Sequence, residues 1–187
     1  KRLLKETALS RGELDCLIGG PPCQAFSVYN HQRGMHDNRS QLFREYLRLV
    51  EGLFPKWIVM ENVTGILSVG GGEAVREIEA GLETLGYRVK MQTLKAEEFG
   101  IPQERRRVVF IGTRENAAID FPKPTHGKGK RSFVTIRDAI GDLPPLENGG
   151  FIGASAYAKA ATSEYQRELR TNSKLICNHS APRLSAI

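Results

Sequence analysis

The 187-residue chain is poor in cysteine: Cys16, Cys23 and Cys177 are its three, and they form no C-x-x-C pair and no Cys/His series at metal-ligand spacing. That excludes a disulfide framework and speaks against structural zinc; Cys177 and His179 are two ligand types in loop sequence, too few for a site. Long apolar runs are missing too. Nothing approaches the roughly 20 residues a spanning helix needs, and Lys1-Arg2-Leu3-Leu4-Lys5 lacks the apolar stretch of a signal peptide. No membrane partner is expected, and the reading is of a protein of the cell interior: cytoplasm or nucleoid in a bacterium, nucleus in a eukaryote. Aromatics are scarce at 7%, but 40% hydrophobic content is enough for a globular core and against disorder. Negative charge is in deficit, leaving +6 net and a pI near 9.4, which suits a polyanionic partner without requiring one.

What is present alternates. Strand patterns over Leu14–Ile18, Trp57–Glu61, Tyr87–Leu94 and Val108–Thr113 are interleaved with helix patterns over Ser40–Leu53 and Glu73–Leu85, so the fold class is α/β. The first helix carries Leu42, Phe43, Tyr46, Leu47, Leu49, Val50 and Leu53 and stops before Pro55; the second ends at Gly86, a left-handed cap. Residues 1–12 form a short basic lead-in. Beyond Arg114 a Pro/Gly/Lys linker follows, then a short helix or strand over Thr135–Ile140. Gly70-Gly71-Gly72 lacks the spacing of a dinucleotide loop and reads as a flexible loop. Gly127-Lys128-Gly129-Lys130-Arg131-Ser132 imitates a phosphate loop without its required glycine and hydroxyl residue, and reads as a solvated basic linker.

The chain is organised around Gly19-Gly20-Pro21-Pro22-Cys23-Gln24-Ala25-Phe26-Ser27. Ligands of open α/β sheets sit beyond the carboxyl ends of strands, and Cys23 stands just past such an end. Pro21 and Pro22 fix φ and remove two amide donors, so the direction of the thiol is set in advance. Cys16, inside the strand, reads as core. Glu61 follows a wholly apolar strand and opens onto the same sheet edge. Arg105 and Arg107 alternate, so on an extended segment they share a side, with Arg106 on the other. Two guanidinium groups there can hold a carboxylate or grip phosphate.

In this order, Pro21-Pro22-Cys23-Gln24, Arg39-Ser40-Gln41-Leu42-Phe43, Glu61-Asn62-Val63 and Gln103-x-Arg105-x-Arg107 resemble the DNA cytosine-5 methyltransferases, from about Leu14 to Arg114. The resemblance implies that Cys23 adds to carbon 6 of cytosine, making carbon 5 enamine-like and able to accept a methyl group from S-adenosylmethionine. Glu61 is then the acid beside N3, Arg105 faces the base and Arg107 supports Glu61. Double-stranded DNA is the implied partner, with Gln24, Ser27, Arg33, Arg39, Asn62 and Gln103 on its side of the site; Asn62 also orients the nucleophile loop. No metal is implied.

The implied fold is part of a Rossmann-like S-adenosylmethionine-dependent methyltransferase sheet, its last strand inserted antiparallel. Residues 1–120 are the second half of the catalytic domain, and 121–187 a linker and the start of a smaller target-recognition domain. The family's Phe-x-Gly-x-Gly cofactor loop has no counterpart here, nor has its final Asn-containing motif; of the cofactor site only Pro22 remains. These residues therefore read as an interior fragment, inactive by itself, or as one subunit of a split enzyme whose second chain carries the cofactor half. The far edge of the Leu14–Ile18 strand, left without its neighbour, is expected to be covered by residues 1–12, by a second copy or by another segment. Two rivals stand beside this reading: a non-catalytic DNA-binding remnant, and a cysteine hydrolase pairing Cys23 with His31 or His179, which no spacing supports.

Overall fold

The computed structural model describes residues 2–22 and 42–185. The chain divides into two compact units, residues 1–95 with 105–123 and residues 96–104 with 124–187. Residues 121–123 are grouped with the first unit and 96–104 with the second.

The first unit runs α1 (Arg2–Thr7), β1 (Cys16–Gly19), α2 (Leu42–Leu53), β2 (Trp57–Val63), two turns of 3₁₀ helix, α3 (Glu73–Thr84), β3 (Arg88–Lys95) and β4 (Arg106–Thr113). In α2 the buried side chains are Phe43, Tyr46 and Val50, the spacing of one helical face. The helix stops where Phe54, at φ 51°, precedes Pro55; the guanidinium groups of Arg11 and Arg114 lie 4.3 and 4.6 Å from the Phe54 ring centre and support that strained turn. α3 buries Ala74, Val75, Ile78 and Leu82. It ends as expected at Gly86, φ 85°, where the Gly86 amide donates to the Glu83 carbonyl and the Tyr87 amide to that of Leu82. The three glycines 70–72 form a tight left-handed turn, and Arg76 donates to the Gly71 carbonyl at 2.9 Å.

The four strands make one sheet in the order β1-β2-β4-β3. β1 and β2 are parallel; β4 is inserted antiparallel between β2 and β3, as expected. Ile58, Met60, Val108 and Phe110 point from one face of β2 and β4 into a core closed by Phe43, Tyr46, Val50, Ile78 and Leu82 of the two helices. Each such side chain contributes on the order of 1.5–3 kcal/mol by leaving water, so this face holds the unit together. On the other face, register places Cys16, Ile18, Trp57, Val59, Glu61, Val109, Ile111 and Arg107 side by side. Trp57, Val59 and Ile111 are only half-buried there, which is why β2 reads as apolar on both sides.

One expectation about β1 is corrected, and one of the three covers expected for its far edge is removed. Cys16 is exposed instead of core, because it lies on the open face of an edge strand. Among the described residues β1 pairs with β2 alone and Ile18 is 73% exposed, so residues 2–12 do not cover the far edge. They are engaged elsewhere: the Gly12 amide donates to the Leu53 carbonyl and Arg11 Nε to that of Glu51, fastening this segment to the end of α2.

In the second unit, α4 (Ile136–Ile140) and α5 (Glu164–Arg170) each start with a capping box, Thr135 with Asp138 and Ser163 with Gln166. Short ladders join β5 (Phe151–Ile152) to β8 (His179–Ser180) and β6 (Ser155–Ala156) to β7 (Leu175–Ile176). Beside Ile176, 5% exposed, the buried side chains of this unit include two polar ones. Gln166, 1% exposed, accepts from the Thr162 and Ser163 amides and donates to the Arg137 carbonyl; Asp142, 4% exposed, is paired with Arg170, whose guanidinium stacks on Tyr157.

Candidate active site

Strand direction assembles the site. β1 and β2 are parallel, so their carboxyl ends lie at one edge of the sheet; β4 runs the other way, so its amino end, with the arginines, arrives at that same edge. Val63 of β2 is paired with Arg107 of β4, and Glu61 with Val109, leaving Glu61 and Arg107 as diagonal neighbours on one face. Arg107 Nε lies 2.6 Å from Glu61 Oε1, and Arg105 Nη2 3.9 Å from the same oxygen. The alternation of the two arginines thus brings both to one carboxylate, while Arg106 is exposed on the opposite parity.

The other Glu61 oxygen faces the strand that leads to Cys23. A Cβ on Gly20 would sit 3.3 Å from Oε2, so the missing side chain lets the carboxylate lie close against the backbone there. One residue on, the Pro21 carbonyl accepts from Asn62 Nδ2 at 3.3 Å, and Asn62 Oδ1 accepts from the Val63 amide at 2.9 Å. Asn62 is 3% exposed, so its side chain ties the run that leads to Cys23 to β2. Pro22 is exposed at the end of this run.

One residue before, a Cβ on Gly19 would meet the Tyr46 ring at 2.7 Å. The Tyr46 hydroxyl reaches the carbonyls of Leu17 and Val59, both at 3.1 Å, bridging β1 and β2 from beneath, and burial pushes its ionisation well above the usual tyrosine range. Sequence reading placed Tyr46 on the core face of its helix but missed this tie; the available signal was a tyrosine among aliphatics, whose buried hydroxyl needs a partner. Tyr46→Phe is expected to lower stability by about 1 kcal/mol with the ring contact intact. Urea unfolding checks this, and an unchanged midpoint would show that the hydroxyl adds nothing.

Cys23, Gln24, Ser27, Arg33 and Arg39 lie outside the described residues, as does His31. Gln103 is exposed and belongs to the second unit. His179 Nε2 is 2.7 Å from the Pro144 carbonyl; that oxygen only accepts, so this nitrogen carries hydrogen and is not available as a base. Among the described residues no group of three or more His, Cys, Asp or Glu is placed to hold a metal, and no helix is long and apolar enough to cross a membrane.

The sequence and the fold are similar to those of known proteins. The family model for C-5 cytosine-specific DNA methylase matches residues 1–181. Type II methyltransferase M.AgeI of Thalassovita gelatinovora is 38% identical, over 100% of this chain and 48% of its own length. Type II methyltransferase M1.HphI of Haemophilus parahaemolyticus is 41% identical, over 75% of this chain and 37% of its own. A crystal structure of a proposed DNA modification methyltransferase encoded within an E. coli prophage superposes with a TM-score of 0.65 at 27% identity, over 90% of this chain and 47% of that one. The chain thus spans about half or less of the length of these relatives. By motif, sheet topology and similarity over residues 1–181, the chain belongs to the C-5 cytosine-specific DNA methylases.

Proposed function

We propose that these residues supply the nucleophile, the acid and its arginine support to an enzyme that methylates carbon 5 of cytosine in duplex DNA. The observation that carries this reading is the Glu61 carboxylate, held by Arg107 on one oxygen and lying against Gly20 on the other, three residues before Cys23. Acid and nucleophile strand are thereby held at one sheet edge, as addition across the C5–C6 bond requires.

In this reading the Cys23 thiolate bonds to carbon 6 and the ring electrons move toward carbon 5, while Glu61 serves the proton demand at N3. After carbon 5 has taken the methyl group, a water molecule acting as base takes its proton, the C5–H electron pair re-forms the C5–C6 double bond, the C6–S pair leaves with sulfur as the restored thiolate, and the N3 proton returns to Glu61. Arg107 keeps Glu61 in place, Arg105 lies within reach of the same oxygen to face the base, and Asn62 holds Pro21 so that the turn before Cys23 is fixed. Gln24, Ser27, Arg33, Arg39 and Gln103 are the proposed DNA contacts.

S-adenosylmethionine, as the bound donor, supplies an electrophilic methyl group. The described residues do not by themselves fit it: Pro22 is exposed at the strand end, and at the Gly70–Gly72 turn an arginine donor already occupies the Gly71 carbonyl. Most of the donor's site is proposed to lie in another segment or a second chain, and residues 124–187 to open the target-recognition region.

The test is product identity. The full enzyme, uniting these residues with a cofactor-binding half, is incubated with duplex DNA and labelled S-adenosylmethionine, and the digested nucleosides are separated. 5-Methyldeoxycytidine is expected; label in N4-methyldeoxycytidine or N6-methyldeoxyadenosine would overturn the reading.

A further inference from the structure

The basic stretch 127–131 is a built turn. The Gly127 amide donates to the Arg131 carbonyl at 2.9 Å and the Lys130 amide to the Gly127 carbonyl at 3.0 Å, with Gly127 and Gly129 at φ 122° and 74°. Its base is pinned: the amides of Thr125 and His126 both donate to the Glu98 carbonyl, at 2.9 and 3.0 Å, and the His126 ring lies where a Cβ on Gly100 would be, 2.6 Å from Cε1. Lys128, Lys130 and Arg131 are exposed on this turn, and none of them is ion-paired among the described residues.

Beside the turn, Phe133 is 49% exposed and packs one edge on Gly127, where a Cβ would be 3.5 Å away. Lys130, Arg131 and Phe133 share the lining of a cavity of about 1120 Å³ with Phe99, His126 and Tyr165. The carboxylates on this cavity are Asp138, already bonded to the Thr135 amide and hydroxyl, and Glu164 and Glu168 of α5. Three cations within four residues on a fixed turn, next to an open aromatic face, match a strand of alternating phosphates and flat rings.

We propose that residues 126–133 are a nucleic-acid strand site: Lys128, Lys130 and Arg131 meet successive phosphates, and Phe133 offers its ring to a sugar or base of the same strand. The proposal rests on the reading that DNA is the substrate. It adds a site of the second unit that no catalytic residue belongs to.

The two kinds of contact respond differently to salt. Phosphate contacts release counterions, about 0.9 per contact in the slope of log K against log salt, whereas stacking releases none. Binding of a fluorescent DNA duplex to the 187-residue chain is therefore measured across a salt series. The triple variant K128A/K130A/R131A is expected to flatten the slope by about 2 to 3. Phe133→Ala is expected to weaken binding about fivefold or more with the slope unchanged. Circular dichroism confirms that both variants fold. A triple variant that keeps the wild-type slope overturns the proposal while leaving the substrate reading intact; a wild-type chain with no salt-dependent DNA binding overturns both. Tighter binding to vesicles of anionic lipid than to duplex, lost in the triple variant, also overturns it.

Discussion

Glu61→Gln in the full enzyme is expected to lower the single-turnover rate of methyl transfer by about 10²–10⁴ while leaving DNA affinity near wild type. The amide keeps the shape of the side chain and an oxygen for Arg107 to bond, but it cannot exchange a proton with N3. Stability should hardly move. Arg107 and Glu61 side chains are 26% and 44% exposed, and a water-screened pair of that kind is worth at most about 1 kcal/mol. On the proposed reading the pair places an oxygen more than it holds the fold, and rate and melting temperature should separate cleanly. Rapid-quench kinetics with saturating DNA, beside thermal melting, checks both. A variant with near-wild-type rate would remove Glu61 from the chemistry; one that loses rate only by unfolding would make the Arg107 contact structural.

Local rules made much of this site legible. The parity of Arg105 and Arg107 and the position of Glu61 after an apolar strand follow from the two-residue period of extended chain, and the structure brings all three within 3.9 Å of contact. The end of α3 at Gly86 needed only the left-handed cap. What escaped depended on partners distant in sequence. Nothing near Tyr46 says that its hydroxyl will meet the carbonyls of Leu17 and Val59, and nothing near Gly20 says that a carboxylate 41 positions on will rest against it.

The apolar look of Leu14–Ile18 suggested a core strand with Cys16 inside it. Among the described residues its far edge has no partner strand, and apolar composition reports what a strand is suited to pack against and not what lies beside it. The second unit was the least legible. Two-residue ladders carry no period, and the pairing of Asp142 with Arg170 spans 28 positions of loop and helix.

The second large effect is on covalent chemistry and concerns Cys23 itself. Fluorine in place of hydrogen at carbon 5 leaves no proton to remove after the methyl group has arrived, so the C6–S bond cannot break and the thiol stays joined to the DNA. Of the three cysteines, Cys16 lies on the open face of β1 on the opposite parity from Gly19, with burial pushing its thiol up, and Cys177 lies in the second unit; neither follows the Gly20–Pro22 run that Glu61 and Asn62 hold. The full enzyme is incubated with S-adenosylmethionine and duplex DNA carrying 5-fluorocytosine at the target position, and the product is run on a denaturing gel. A shifted protein–DNA band is predicted for wild type, Cys16→Ala and Cys177→Ala, and none for Cys23→Ala. A band that survives Cys23→Ala, or one that disappears with Cys16→Ala or Cys177→Ala instead, would contradict the assignment of the nucleophile.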